Sequence, residues 1–329
     1  MRLVTFVSPD QTQSTAGRPG EGIPGAVISS VDGDRVLELT PDLCNGASTV
    51  GEIVGDVAAL EAAQVAVALA TVALATADAS PAGSAAALPL LADLHLLPPV
   101  RPGKILCLGY NYRGHVPNGE DPTAGDPEYP DVFVKTPNVL GGPNDPVVLP
   151  AVSTSVDYEG EIALVIGKRA FEVPLESAMD YVAGYALFND VSDRDWQARQ
   201  SQWELGKCFD GFGPLGPTLV TTDEIADPHN LLVEVVRDGV VTVSQSTSTM
   251  IFSMPFIVHY LSQVMTLEPG DIISTGTPQK LPAAQEAHRP LAHGDAVTIR
   301  VAGLGELTTT FVAPTSTNNA SSTSTGKAS

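Results

Sequence analysis

Asp157, Glu159 and Glu161 recur with period two in the stretch VDYEGEIALVIG, residues 156–167. The stretch reads as a strand: apolar residues alternate with others, Val165 and Ile166 are β-branched, and Gly167 stops it. Successive strand side chains point to opposite faces, so the three carboxylates share one face and repel each other there. Asp190 ends the next hydrophobic strand, YVAGYALFND, and sequential strands commonly neighbour each other, so it should arrive beside the glutamate pair. Carboxylates that converge with no basic residue among them raise each other's pKa. A hard divalent cation resolves the conflict, because Mg²⁺ takes oxygen ligands octahedrally and keeps several waters, leaving room for a substrate. Spacing alone also admits a solvated strand face with ordinary surface acids.

Downstream, NDVSDRDWQARQSQWELGKCFDGFGPLGP sets Arg194, Gln197 and Lys207 among glycine, proline and apolar residues. Charged groups in such a region need partners. A lysine next to a metal suits a substrate carboxylate or a developing enolate, although a loop lysine can equally reach out to solvent. His115, in LGYNYRGH, titrates near neutral pH and can serve as a base. Taken alone it is a loop histidine.

The elements that must position these residues divide the chain. Residues 1–99 read as a small N-terminal α+β domain: LVTFVSP, GAVISSV and RVLELT alternate like short strands, and the Ala-rich run 57–79 follows as a helix. That run approaches a membrane span in length, but Glu61, Gln64 and the lack of flanking basic residues point to a soluble helix. From residue 100 to 312 the texture is short strands separated by Gly and Pro turns, with only PLESAMD and MIFSMPFIVHYLSQVM helical, so this part is a β-rich domain. Residues 313–329, rich in Ser, Thr and Asn, read as a disordered tail. With 43% hydrophobic residues the chain is globular, and its formal net charge of −21 argues against nucleic acid or an anionic membrane as partner. Cys44, Cys107 and Cys208 show no metal or disulfide spacing, and Met1 opens directly into RLVTFV without a secretory signal. A cytoplasmic protein is expected.

Seven segments together resemble the fumarylacetoacetate hydrolase family: LGYNYRGH, PDVFVKTPNVLGGPNDPVVLP, DYEGEIALVIGKRA, DYVAGYALFNDVSDRDWQ, GKCFDGFGPLGP, TMIFSMPFIVHYLSQVMTLEPGDIISTGTP and HGDAVTIRVAGLGELTTTF. They come in the family's order and spacing over roughly residues 100–312. The resemblance implies a mainly β (α+β) fold, the family's mixed β-sandwich roll, with a homodimer as its usual assembly. It implies metal ligation by Glu159, Glu161 and Asp190. The ion is Mg²⁺, or alternatively Mn²⁺ or Ca²⁺, and it chelates a small 2-oxo acid or β-diketo acid. Arg194, Gln197 and Lys207 would contact substrate oxygens, with Thr277 near the same pocket. Tyr112 is counted with the substrate-binding residues, although packing also accounts for it. His115 matches the histidine that activates water in the hydrolases or handles protons in the decarboxylases. The implied activity is Mg²⁺-dependent hydrolysis of a C–C bond in an acylpyruvate, with a decarboxylase, sugar-acid dehydratase or tautomerase as the alternative.

The chain departs from the family pattern twice. Many members carry a Glu three residues after the histidine, where this sequence has Asn118; Glu120 is the nearest acid and the candidate for a His–Glu dyad. Pro117, Pro122, Pro127 and Pro130 argue against a continuous helix in that segment. After T-G-T-P the usual Gly-rich turn is replaced by QKLPAAQEAHRPLAHGD, whose Lys280, His288 and Arg289 could meet a substrate acid but are expected rather to face water.

Overall fold

The structure, a computed structural model, describes residues 1–7, 22–78, 88–114 and 125–314. His115, Glu120 and the tail from residue 315 lie outside the described residues.

Two large sheets build the described structure, with a two-stranded pairing of Val156–Asp157 and Ser192–Asp193 beside them. The larger has eleven strands: nine run in the order Gly33–Glu38, Ile23–Ser30, Arg2–Val7, Gly213–Thr221, Val182–Asn189, Gly160–Ile166, Ile272–Ser274, Ile105–Gly109 and Asp131–Lys135, while His95–Leu97 joins at Arg2–Val7 and Leu140–Gly141 at Gly213–Thr221. The smaller has five, in the order Val240–Ser246, Leu232–Arg237, Ala296–Val301, Gly305–Val312 and Val147–Val148. Strand Gly160–Ile166 is central and buried along its whole length. One of its faces, with Ile162 and Leu164, packs on Val235, Ile299 and Phe311 of the smaller sheet. The opposite face, with Ala163 and Val165, joins Leu3, Ala26, Ile53 and Leu215 in a second core. The sheets approach so closely at Gly160 that a Cβ there would come within 2.5 Å of Val235. The result is the mainly β sandwich roll expected from the sequence.

The division expected near residue 100 does not mark a break in packing. Arg2–Val7 pairs antiparallel with Gly213–Thr221, Arg2 opposite Val220, so the N-terminal strands extend the central sheet and share its core. The helix Val57–Asp78 follows from its alanines and from Asp56, whose carboxylate accepts the Ala59 amide at 2.8 Å. Ala59 and Ala63 seat it on the second core, while Val65, Leu69 and Val72 are exposed. By length and composition alone it is apolar enough to cross a membrane. PLESAMD becomes a 3-10 helix, Leu175–Tyr181, and the longer candidate keeps only Met254–Ser262 as α-helix, since Pro255 places the helix start there.

The segment after T-G-T-P folds back onto the smaller sheet and is pinned by Asp295. This carboxylate accepts from Arg289 at 2.7 and 2.9 Å, from Arg237 at 2.8 Å and from the Ala292 amide at 2.8 Å. The Arg289 hydrogen bonds are the main cause that depresses its pKa to about 2, with the Ala292 amide and Arg237 assisting against the opposing effect of burial. A depressed carboxyl pKa means that the unfolded chain binds more protons, so this stability is present above the unfolded value and is lost as pH falls through the folded one. We expect Asp295→Asn to cost about 1 kcal/mol at neutral pH after allowance for solvent screening. Urea unfolding should show the difference from wild type shrinking as pH drops from 3.8 towards about 2.

Candidate active site

The acidic stretch is not one strand. Val156–Asp157 pairs with Ser192–Asp193, and the central strand begins only at Gly160, so residues 158–159 break the alternation. Asp157 therefore leaves the row: its carboxylate meets Lys280 Nζ at 2.6 and 2.7 Å and Arg194 at 2.9 Å. Glu159 and Glu161 stay together, and the register supplies the third acid. Gly160 lies opposite Asn189, which sets Asp190 next to Glu159, where the Asp190 amide donates to the Glu159 carbonyl at 2.9 Å. One carboxylate oxygen each from Glu159, Glu161 and Asp190 lies within 4.8 Å of the others.

The expectation that no basic residue stands among these acids is corrected by the structure. Lys207, at the end of the short helix Glu204–Lys207, reaches Glu159 at 2.7 Å and Asp190 at 2.6 Å. Lys135, on the edge strand Asp131–Lys135, meets the other Asp190 oxygen at 2.5 Å and the Val191 carbonyl at 3.0 Å. Arg194 adds a contact to Glu159 at 2.7 Å and donates to Gln197, one helical turn on, at 3.0 Å. Lys135 and Lys207 are almost wholly buried, as are Glu161 and Asp190. Lys135 was not among the residues expected at the site; the signal available was a lysine directly after three consecutive apolar residues in DVFVK.

Charge is distributed unevenly in this cluster. Burial alone would push Glu159 up, but Lys207 and Arg194 outweigh it and hold the carboxyl below the usual range. Burial would likewise lower Lys207, yet Asp190 and Glu159 keep it firmly protonated. Glu161 goes the other way: burial, then Asp190 and Glu159, raise its pKa well above a normal carboxyl. It makes no ion pair among the described residues, and one of its oxygens accepts from the Ser274 hydroxyl and from the Gly276 amide. A buried carboxyl with two acidic neighbours and no cation of its own fits an all-oxygen divalent metal site. The three carboxylates could hold such an ion.

A cavity of about 100 Å³ opens over the cluster, lined by Glu159, Glu161, Arg194, Gln197, Lys207 and Thr277. Its apolar side is aromatic: Trp203 stands edge-on to Tyr110 at 5.7 Å and to Phe133 at 5.5 Å. Gly109 makes this possible, because a Cβ there would lie 2.7 Å from the Trp203 ring. Thr277 donates to the Gly160 carbonyl at 3.1 Å and so ties the T-G-T-P segment to the start of the central strand. The structure thus gathers Glu159, Glu161, Asp190, Arg194, Gln197, Lys207 and Thr277 in one place. Tyr112 is not among them. It is fully buried in the core beside Met250, and Tyr110 lines the cavity instead. Tyr110 has φ of 53°, in the left-handed region, which reverses the alternation between the two tyrosines. Lys280 does not face water either: burial lowers its pKa, in part offset by Asp157. Gly114, next to the undescribed His115, lies against the Gln279 side chain, so the chain leaves the described structure at the rim of the site.

The family pattern for the C-terminal domain of fumarylacetoacetate (FAA) hydrolase matches residues 104–312. The chain belongs to the fumarylacetoacetate hydrolase family. A mitochondrial oxaloacetate tautomerase of Rattus norvegicus is 37% identical over 309 residues, covering 93% of this chain and 90% of that protein. Among solved structures, 5-carboxymethyl-2-hydroxymuconate delta-isomerase from Mycobacterium smegmatis matches with a TM-score of 0.70 at 30% identity, over 95% of this chain and all of that one. Maleylpyruvate hydrolase from a Sphingobium species matches with a TM-score of 0.71 at 28% identity, over the same shares. Members of the fumarylacetoacetate hydrolase family are enzymes that act on small molecules, and this chain is one of them by sequence and fold.

Within this family site, Lys135 and Asp190 form a wholly buried ion pair. Removing one partner of a buried ion pair leaves an uncompensated charge and costs about 3–5 kcal/mol. Lys135→Met should lower the free energy of unfolding by that amount in urea. A change under about 1 kcal/mol would mean that water or Lys207 compensates Asp190 on its own.

Proposed function

We propose that this enzyme enolises a small 2-oxo acid, and that its reaction is the keto–enol interconversion of a compound such as oxaloacetate. The observation that carries the reading is the pairing of an uncompensated buried carboxyl, Glu161, with a protonated lysine, Lys207, on the floor of one cavity. The likeness along nearly the whole chain to an oxaloacetate tautomerase, and in structure to an isomerase, supports tautomerisation over other outcomes of the same enolate.

Glu159, Glu161 and Asp190 would hold the ion, Mg²⁺ in this reading or Mn²⁺ or Ca²⁺ in its place, and its oxygen-only donor set suits all three. A bound ion would supply Lewis-acid polarisation of the 2-oxo acid oxygens. The chain's own residues do the rest. Asp190 and Glu159 keep Lys207 charged, so it acts as a donor to the oxygen on which negative charge develops, and not as a base. Arg194 and Gln197, braced against each other, orient the substrate carboxylate. Tyr110, Phe133 and Trp203 exclude water from one side. Enolisation takes a proton from C3 and delivers one to the 2-oxo oxygen, and His115, which lies outside the described residues, is the group that the family resemblance assigns to move it.

A second reading keeps the same enolate as the leaving group: Mg²⁺-dependent hydrolysis of an acylpyruvate, with His115 activating water and Glu120 as its companion. The likeness to maleylpyruvate hydrolase favours it.

Purified protein with Mg²⁺ or with EDTA decides between them. Tautomerisation predicts faster loss of the enol absorbance of oxaloacetate without release of carbon dioxide, abolished by EDTA and restored by Mg²⁺. Lys207→Met should reduce that rate by about 10²–10³. Pyruvate plus a second acid from acetylpyruvate or fumarylpyruvate would select the hydrolase, and carbon dioxide from oxaloacetate the decarboxylase.

A further inference from the structure

The segment after T-G-T-P departs from the family pattern, and it builds a second chamber. Gln279, Lys280 and Gln285, the last from the short helix Pro282–Glu286, wall a cavity of about 320 Å³ opposite Tyr158 and Val243. The chamber shares Tyr110, Glu159, Arg194 and Thr277 with the inner cavity, so it continues the site outward. Its charge is set by one acid between two cations. The Asp157 carboxylate, almost wholly buried, is held by Arg194 at 2.9 Å on one side and by Lys280 at 2.6 and 2.7 Å on the other. Glu159, the other acid Arg194 touches, has Lys207 as its own cation. With Lys207 set against Glu159 and Lys135 against Asp190, Arg194 and Lys280 stand as two cations around the one remaining ion-paired acid, Asp157, at this wall. Lys280 is fixed as well as charged: its ammonium lies 4.3 Å from the centre of the Tyr158 ring, and its side chain is 16% exposed. An ammonium has three donors, and Asp157 takes two of them among the described residues.

The distance from this cation to the carboxylate cluster is bounded. Contacts of 2.7, 2.9 and 2.7 Å in series run from Glu159 Oε1 through one Arg194 nitrogen and one Asp157 oxygen to Lys280 Nζ, so the ends are at most about 8.3 Å apart. An extended chain advances about 1.2 Å per bond, which puts the far end of a six-carbon skeleton within reach of Lys280.

We propose that Lys280 is the specificity-determining residue for the distal end of the substrate, and that the outer chamber takes a second, anionic group on a 2-oxo acid held at Glu159, Glu161 and Asp190. This rests on the reading of that cluster as a 2-oxo acid site. A neutral distal group would strip water from Lys280 without returning a partner, and a site built on buried polar groups rejects ligands that lack the matching group.

The test is calorimetric binding, in Mg²⁺, of 2-oxoadipate and 2-oxohexanoate, six-carbon 2-oxo acids that differ only in the distal carboxylate. Wild type should prefer the diacid by about tenfold or more. Lys280→Met should erase most of that preference by weakening the diacid while leaving the monoacid within about threefold, and Lys280→Arg should retain it. Lys280→Gln repeats the comparison if the methionine variant does not fold. A wild-type ratio near one overturns the proposal, as does a preference that survives loss of the lysine charge or an equal loss for both acids. If neither acid binds, the 2-oxo acid reading of the carboxylate cluster falls first and takes this inference with it. If both bind equally well, only this inference falls.

Discussion

Everything around the site follows from burying Glu161. A carboxyl at the middle of a central strand, beside two further acids, is expensive wherever water is excluded, and the chain answers with counter-charge brought from elsewhere. Four acids, Asp157, Glu159, Glu161 and Asp190, face four cations, Lys135, Arg194, Lys207 and Lys280. Three of the acids pair directly with those cations, and Glu161 does not. A balanced cluster with one unpaired member is poised: its hydroxyl and amide donors, Ser274 and Gly276, orient the carboxyl without neutralising it.

The fold meets that demand through register. The central strand and its neighbour are aligned so that Gly160 faces Asn189, and this alignment sets the third acid beside the first two. Ser274 comes from the next strand over, opposite Ala163, so three adjacent strands of one sheet hold the acids and their donors. The cations arrive differently, from an edge strand, two short helices' termini and a loop. The acids and their donors are thus set by strand pairing within one sheet, whereas the cations are brought in by tertiary contacts from separate segments.

The acids were legible in the sequence because Glu159 and Glu161 lie two residues apart at the start of the central strand and Asp190 follows the end of its neighbour, where spacing and sequential pairing suffice. The cations were legible only in part. Arg194 and Lys207 lie close to Asp190 in sequence, but Lys135 sits some fifty residues earlier, inside an alternating strand whose outer positions read as solvent-facing. Asp157 shares the spacing of the glutamates and still leaves them, since the backbone breaks at residues 158–159 and turns it to Lys280. Tyr110 and Tyr112 exchange roles for a similar reason: a left-handed backbone at Tyr110 is a local event that no count of alternation contains. The N-terminal strands were legible as strands, and not as part of the central sheet, because the pairing of Arg2 with Val220 joins residues far apart in the sequence. Local geometry was readable where periodicity ran unbroken. Long-range compensation was not.

Formal charge carries one last step. With all eight groups ionised the cluster is neutral, so a divalent ion would leave it positive by two inside a chain that is otherwise strongly acidic. A monoanionic ligand would leave part of that charge unmatched in a cavity walled by aromatic rings, whereas a dianion would match it. The acidic surface repels such a ligand at long range, most strongly at low salt, and the pocket attracts it only at close approach. Selectivity for a doubly charged small molecule then comes from the pocket alone, with the surface working against casual anion binding. Burial beside Asp190 and Glu159 raises the Glu161 pKa, so a cation bound among the three carboxylates would favour its charged form.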